Sequence, residues 1–188
     1  IEKWGRYLDI DGDGICYRTY PGTHPTKGSY FTRGSSRDSF AVYTEDGDKY
    51  AANMIRLQRK WKTAREYVPR PEIVPCGRDT HLGVIYFGTS EASSREAVDY
   101  LGEEGIDLNA LRLRAFPFNE EVEAFISEHE MTFVIEQNRD AQLKTLLVND
   151  AKINPSRLLS VLHYDGTPIT ADSTTPGISS RTSSISFG

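Results

Sequence analysis

The chain has 188 residues, with 22 Lys+Arg against 27 Asp+Glu and a formal net charge of −5. That acidic balance argues against a broad nucleic-acid-binding surface, and no stretch approaches the run of about 18–20 uncharged apolar residues that a membrane span requires. Two cysteines, Cys16 and Cys76, exclude a disulfide framework and any four-cysteine zinc or iron–sulfur site within the chain.

Residues 1–45 are rich in Gly, Tyr, Thr, Ser and Arg and show little periodicity. From 46 to about 67, Tyr50, Met54, Leu57, Trp61 and Ala64 recur at spacings of three and four, which predicts a helix with one apolar stripe. Its other side carries Lys49, Arg56, Arg59, Lys60, Lys62 and Arg65, read as a solvated face with cations near the negative end of the helix dipole. Prolines at 69, 71 and 75 remove amide donors and restrict their predecessors, so 71–80 is expected to be an extended linker. Residues 82–88 form a continuous apolar run, the pattern of a strand buried on both faces. Ser90 or Ser93 then caps a helix reaching Gly102, with Ser93 and Glu96 at capping-box spacing and Ala97, Val98 and Leu101 on the buried side. After Gly105, residues 111–116 alternate like a strand, and Asn119 caps a helix using Val122, Phe125 and Ile126. A strand at 131–136, a helix at 141–148 on Leu143, Leu146 and Leu147, and a strand within 157–164 complete the pattern. Strands alternating with helices predict an α/β fold, a three-layer α/β/α domain with a mostly parallel sheet covered on both faces. Residues 171–188, mostly small and polar, are expected to be a mobile tail.

The loudest local motif is DIDGDG at 9–14, where Asp9, Asp11 and Asp13 alternate before a glycine like the first half of an EF-hand calcium loop. Loop position 12, which needs a bidentate glutamate, is Tyr20, and Pro21-Gly22 stands where a second helix should start. The competing reading is an Asp/Gly turn whose carboxylates bond backbone amides. His24, His81, His129 and His163 fall in no metal-binding spacing, and the chain has no Gly-x-Ser-x-Gly, Walker or Gly-x-Gly-x-x-Gly motif. Glu136, Gln137, Asn138, Arg139, Asp140 and Gln142 crowd the carboxyl end of an expected parallel strand, where open α/β sheets place ligand and partner contacts. On physical grounds this is either a recognition loop or a polar helix start capped by Asn138 or Asp140.

Several segments together carry a family resemblance. They are RYLDIDGDGI at 6–15, YRTYPG at 17–22, YFTRGS at 30–35, YTED at 43–46, FPF at 116–118 and EQNRDAQL at 136–143. In this order they resemble the alpha subunit of 2-oxoacid:ferredoxin oxidoreductases, of the 2-oxoglutarate type. The resemblance implies a subunit of an enzyme that oxidatively decarboxylates a 2-oxoacid with coenzyme A, giving an acyl-CoA and reduced ferredoxin. It also implies thiamine diphosphate, magnesium and an iron–sulfur cluster in the whole enzyme, none of them expected on this piece alone, and a beta subunit as partner in the cytoplasm. In family terms, 1–70 is the C-terminal end of a pyrimidine-binding-type domain and 81–170 is similar to the C-terminal domain of transketolase.

By the same resemblance, Thr23, His24, Thr32, Arg33 and Gly34 face the active site or a subunit interface, and Glu136 to Gln142 hold the transketolase-like domain in the assembly. The segment GSSRDS at 34–39 departs from the Gly-x-Glu-His-Asp-Glu-like stretch of many relatives. The chain is therefore expected to be a C-terminal fragment with an assembly role and no turnover alone. The competing expectations are a stand-alone calcium-binding module on Asp9, Asp11 and Asp13, or a protein-interaction α/β module.

Overall fold

The structure, a computed structural model, describes residues 3–31 and 33–182. It divides into two compact units, Ile1–Tyr67 and Val68–Gly188.

The first unit is mainly irregular chain followed by one helix, α1 (Gly47–Ala64). Asp46 caps it, its carboxylate accepting from the amides of Asp48 at 2.9 Å and Lys49 at 3.4 Å. The stripe expected to be buried is open instead: α1 buries no residue, and Trp61 is 47% exposed. The helix is held through the opposite side. Arg56 donates to the Gly14 carbonyl at 2.9 Å, Arg59 to the Asp9 carboxylate at 2.6 Å, and the Thr63 hydroxyl to the Asp13 carbonyl at 2.5 Å. Gly14, in left-handed conformation with φ of 82°, lies so close that a Cβ would come within 2.2 Å of the Lys60 amide nitrogen. The cationic face is thus packed in part, through Arg56 and Arg59, while Lys49 and Lys62 stay in solvent as expected.

The second unit holds five strands: β1 (Glu72–Val74), β2 (Leu82–Phe87), β3 (Asn109–Leu113), β4 (Met131–Glu136) and β5 (Leu158–Leu162). Their order in the sheet is β1-β3-β2-β4-β5. The last four are parallel, while β1 runs antiparallel to β3 at one edge. The helices are α2 (Glu91–Glu103), α3 (Glu120–Glu128), α4 (Gln142–Asp150) and α5 (Ala171–Thr182). Period-two alternation sends neighbouring residues of the central strands to opposite faces. Ile85 and Val134 pack with Val122, Phe125, Ile126, Leu143 and Leu147 of α3 and α4. Val84, Tyr86, Phe133 and Ile135 pack with Leu101 of α2 and Ile178 of α5. Each such side chain, fully buried, contributes about 1.5–3 kcal/mol, which is why β2 and β4 read as continuous apolar runs.

Four expectations are corrected. The proline-rich stretch at 71–80 is not simply a linker, because Glu72, Ile73 and Val74 pair with Arg112, Leu111 and Ala110 as an edge strand between Pro71 and Pro75. The strand expected at 111–116 spans Asn109–Leu113, because its partner β2 ends at Phe87, opposite Leu113. The Ser93 capping box does not form: Ser93 lies inside α2 and donates to the Ser90 carbonyl at 3.1 Å. Residues 171–182, expected in a tail, are helix α5, with Thr174 and Ile178 fully buried. A reciprocal cap starts it: the Ser173 amide donates to the Thr170 hydroxyl at 3.2 Å, and the Thr170 amide to the Ser173 hydroxyl at 3.0 Å.

Candidate functional site

The chain leaves β2 for β3 on one side of the sheet, whereas β4 lies on the other side of β2. At such a reversal the loops after the two strands part and leave a crevice at the carboxyl ends, the usual ligand and partner position of an open parallel sheet. The loops concerned are the turn Gly88–Ser90 after β2 and the segment from Glu136 after β4.

Glu136 is completely buried. Its carboxylate accepts from the Leu143 amide at 2.7 Å, the Lys144 amide at 3.1 Å and the Asn138 side-chain amide at 2.9 Å. It thereby supplies the acceptors that the first amides of α4 lack, with a charge suited to the positive end of that helix. Asn138 ties the loop a second time, its side-chain oxygen accepting from the amides of Asp140 at 3.1 Å and Gln142 at 3.2 Å. Ala141 stands in the left-handed region at φ 50°, a strain held by these bonds. Gln137 reaches to the turn after β2 and donates to the Thr89 hydroxyl at 2.8 Å. Arg139 and Asp140 pair with each other at 2.7 Å and stand out in solvent.

The structure therefore brings Glu136, Gln137, Asn138, Arg139, Asp140 and Gln142 into one loop and gives them unequal work. Glu136 and Asn138 are spent on the loop's own backbone; Arg139 and Asp140 are presented outward. Thr89 is the member that sequence reasoning missed, although Gly88-Thr89-Ser90 directly after an apolar strand was the available signal.

The other candidates lie in the first unit. The Thr23 hydroxyl donates to the Tyr20 carbonyl at 2.6 Å. His24 Nδ1 accepts from the amides of Thr26 and Lys27, both at 3.1 Å, which leaves the proton of the neutral ring on the exposed Nε2. Arg33 and Gly34 line a cavity with Arg37 and Tyr43. Thr32 lies outside the described residues.

The aspartate motif forms a backbone-bonded turn. Asp9 accepts from the Gly14 amide at 2.9 Å and from Arg59, and Asp13 accepts from the Ile15 amide at 2.7 Å. Burial raises the Asp9 carboxyl, but the Gly14 amide and the Arg59 guanidinium outweigh it and hold the group below its usual range. Asp11 accepts from the Tyr17 hydroxyl and pushes that phenol up. Among the described residues no group of three or more His, Cys, Asp or Glu side chains is placed to hold a metal. The two cysteines are free, Cys16 in the first unit and Cys76 in the second. Two cysteines cannot supply the four thiolates of an iron–sulfur cluster.

No family model matches the chain. Subunit alpha of 2-oxoacid:ferredoxin oxidoreductase 2 from Aeropyrum pernix is 27% identical over 168 residues, which cover 87% of this chain and 25% of that protein. The chain thus spans about a quarter of that curated relative. The solved 2-oxoglutarate:ferredoxin oxidoreductase from Magnetococcus marinus, with 2-oxoglutarate, coenzyme A and succinyl-CoA bound, matches with a TM-score of 0.78 and 18% identity, over 94% of this chain and 30% of that one. The alpha chain of a probable 2-oxoacid ferredoxin oxidoreductase from Thermoplasma acidophilum gives a TM-score of 0.42 and 22% identity, over 61% of this chain and 97% of that one. The Magnetococcus match establishes the fold, and the Aeropyrum match connects the sequence to a family. The chain is similar to the alpha subunits of 2-oxoacid:ferredoxin oxidoreductases.

Proposed function

We propose that the chain is the C-terminal part of the alpha subunit of a 2-oxoacid:ferredoxin oxidoreductase, which converts a 2-oxoacid and coenzyme A to an acyl-CoA with electrons passing to ferredoxin. The observation that carries this reading is the sequence match to a curated alpha subunit along 87% of the chain. The proposed substrate is 2-oxoglutarate, because the alpha type that the chain resembles is that of 2-oxoglutarate enzymes and the Magnetococcus structure it matches is one of them. The proposed setting is the cytoplasm; no helix among the described residues is long and apolar enough to cross a membrane.

In this reading 1–70 ends a pyrimidine-binding-type domain, and 81–170 is a transketolase-C-terminal-like domain. Thiamine diphosphate, magnesium and the cluster are assigned to the rest of the enzyme in this reading; two cysteines are too few to ligate a cluster. What this chain contributes is assembly with the beta subunit and the remainder of the alpha subunit. Two features support that role. Tyr50, Leu57 and Trp61 of the α1 stripe stay 41–47% exposed, and Arg139 and Asp140 stand out from a loop braced from beneath by Glu136. Thr23, His24, Arg33 and Gly34 are proposed to face the active-site side.

The test is an intact alpha subunit carrying this chain, purified with its beta subunit and assayed for CoA-dependent ferredoxin reduction. Reduction with 2-oxoglutarate is expected, and no turnover by the 188 residues alone. Failure of every 2-oxoacid in a complex that has assembled with its cofactors overturns the activity. The double variant Arg139→Ala, Asp140→Ala is expected to weaken association with the rest of the complex while leaving the fold intact. Unchanged association overturns the role given to the loop.

A further inference from the structure

A small cavity of about 370 Å³ lies within the first unit, lined by Arg33, Gly34, Arg37 and Tyr43. Two of its four lining residues are arginines and none is a carboxylate. Of the carboxylates nearest in sequence, Asp38 accepts from the amides of Phe40 and Val42, both at 2.9 Å, and Glu45 is held by the hydroxyl of the lining Tyr43, outside the lining itself. Arg37 is held over the Tyr43 ring at 5.6 Å and donates one terminal N–H to the Arg33 carbonyl. Its Nε–H is buried and has no acceptor. The neighbouring Ser36, itself 8% exposed, likewise has a buried hydroxyl without a partner.

A buried donor on a charged group is costly to leave unmade. A guanidinium offering its Nε–H is the standard receptor for a planar or tetrahedral oxyanion, which takes two parallel hydrogen bonds from it. The wall opposite is fixed as well. Gly34 has φ of 87°, and a Cβ there would stand 2.3 Å from the Tyr43 ring, so the close approach of backbone and ring depends on glycine.

We propose that this cavity is an oxyanion site, in which Arg37 Nε–H and the Arg33 guanidinium hold a carboxylate or phosphate group of a small molecule. The proposal goes beyond the family reading and does not depend on it. It gives a role to the very segment, 34–39, that departs from the pattern of relatives.

The experiment follows the arginine Nε–H resonances of the ¹⁵N-labelled 188-residue chain by nuclear magnetic resonance. Inorganic phosphate is the probe in one arm and glutarate in the other, each at constant ionic strength against chloride. The signal that disappears in Arg37→Gln is that of Arg37. A saturable shift of this signal is expected with at least one probe, and the arm in which it saturates at lower concentration identifies the source as phosphate or carboxylate. Arg37→Gln is expected to weaken binding about tenfold or more, read from backbone amides of 33–43, since a charge-assisted pair is lost. Ser36→Ala, which leaves both guanidinium groups in place, keeps the Arg37 shift. If neither probe gives a saturable shift beyond chloride, or if the 33–43 amides of a folded Arg37→Gln protein respond as the parent does, the site is overturned. Native, unchanged amides of α1, which belongs to the same unit as the cavity, certify that the first unit of the parent and of the variant is folded.

Discussion

Glu136, the last residue of β4, braces the loop that follows it. Replacing it with alanine removes the acceptor for two amides of α4, and the buried Leu143 amide is then left without a partner. The expected loss is about 2–3 kcal/mol in chemical denaturation. Glu136→Gln keeps one side-chain oxygen and should lose roughly half as much. A loss under about 0.5 kcal/mol for the alanine variant would contradict the bracing role. Asp9 makes a different kind of prediction, because its carboxyl is held below its usual range by the Gly14 amide and Arg59 against the opposing effect of burial. A depressed folded value means that the ionised form stabilises the first unit above the unfolded value of about 3.9, and that this contribution drains away as pH falls through the folded value. Acid unfolding of the first unit should therefore set in below about pH 4. Asp9→Asn should flatten that acid limb while destabilising the unit at neutral pH. Tryptophan fluorescence reads it directly, since Trp61 shares α1 with Arg59. An acid limb unchanged in Asp9→Asn would remove the ion pair from the argument.

Among the elements, α5 separates what composition says from what geometry does. Its sequence is mostly Ser, Thr and Gly with a proline at 176, yet Ala171, Thr174 and Ile178 share one face and are buried. Gly177 lies against β5, where a Cβ would stand 2.9 Å from the Val161 side chain. Ile178→Ala should cost the second unit about 2–5 kcal/mol, measured by urea unfolding, because the cavity opens against Leu101 and Val161 in a packed cluster. A mobile segment would lose nothing. The contrast explains what was legible in the sequence. β2, β4 and α3 were legible because burial on two faces or one stripe writes itself into periodicity. α5 was not, because a three-residue contact face with one polar and one small member leaves no period to read. α1 was legible as a helix and misread as to which face packs, since its partners at Gly14, Asp13 and Asp9 are some 40–50 residues away in sequence. The candidate loop was legible in place, from a polar cluster at a strand end. Its division into bracing and outward-facing residues was not, because it rests on the amides of Leu143 and Lys144 and on Thr89 in the turn after β2.

At the scale of the whole molecule the two units differ in what holds them. Among the described residues, Cys16 is the one buried apolar side chain of the first unit, while the others belong to residues 82–178. Large apolar side chains such as Tyr20, Phe31, Val42, Tyr50, Ile55 and Leu57 remain exposed in the first unit. A unit with so small a core depends on hydrogen bonds and ion pairs, each contributing about 0.5–1.5 kcal/mol against the entropy of ordering the chain. The second unit has two full apolar layers on either side of a sheet and should unfold cooperatively. Both tryptophans, Trp4 and Trp61, fall in the first unit, so fluorescence follows that unit, whereas far-UV circular dichroism is dominated by the helices and strands of the second. In the 188-residue chain the fluorescence transition should come at lower urea than the dichroism transition. In the proposed complex the same tryptophans should hold to higher urea, because a partner that binds only the folded unit stabilises it by mass action. Coincident transitions in the isolated chain would show that the first unit needs no covering surface, and the case for assembly as its role would then rest on the loop at Arg139 and Asp140 alone.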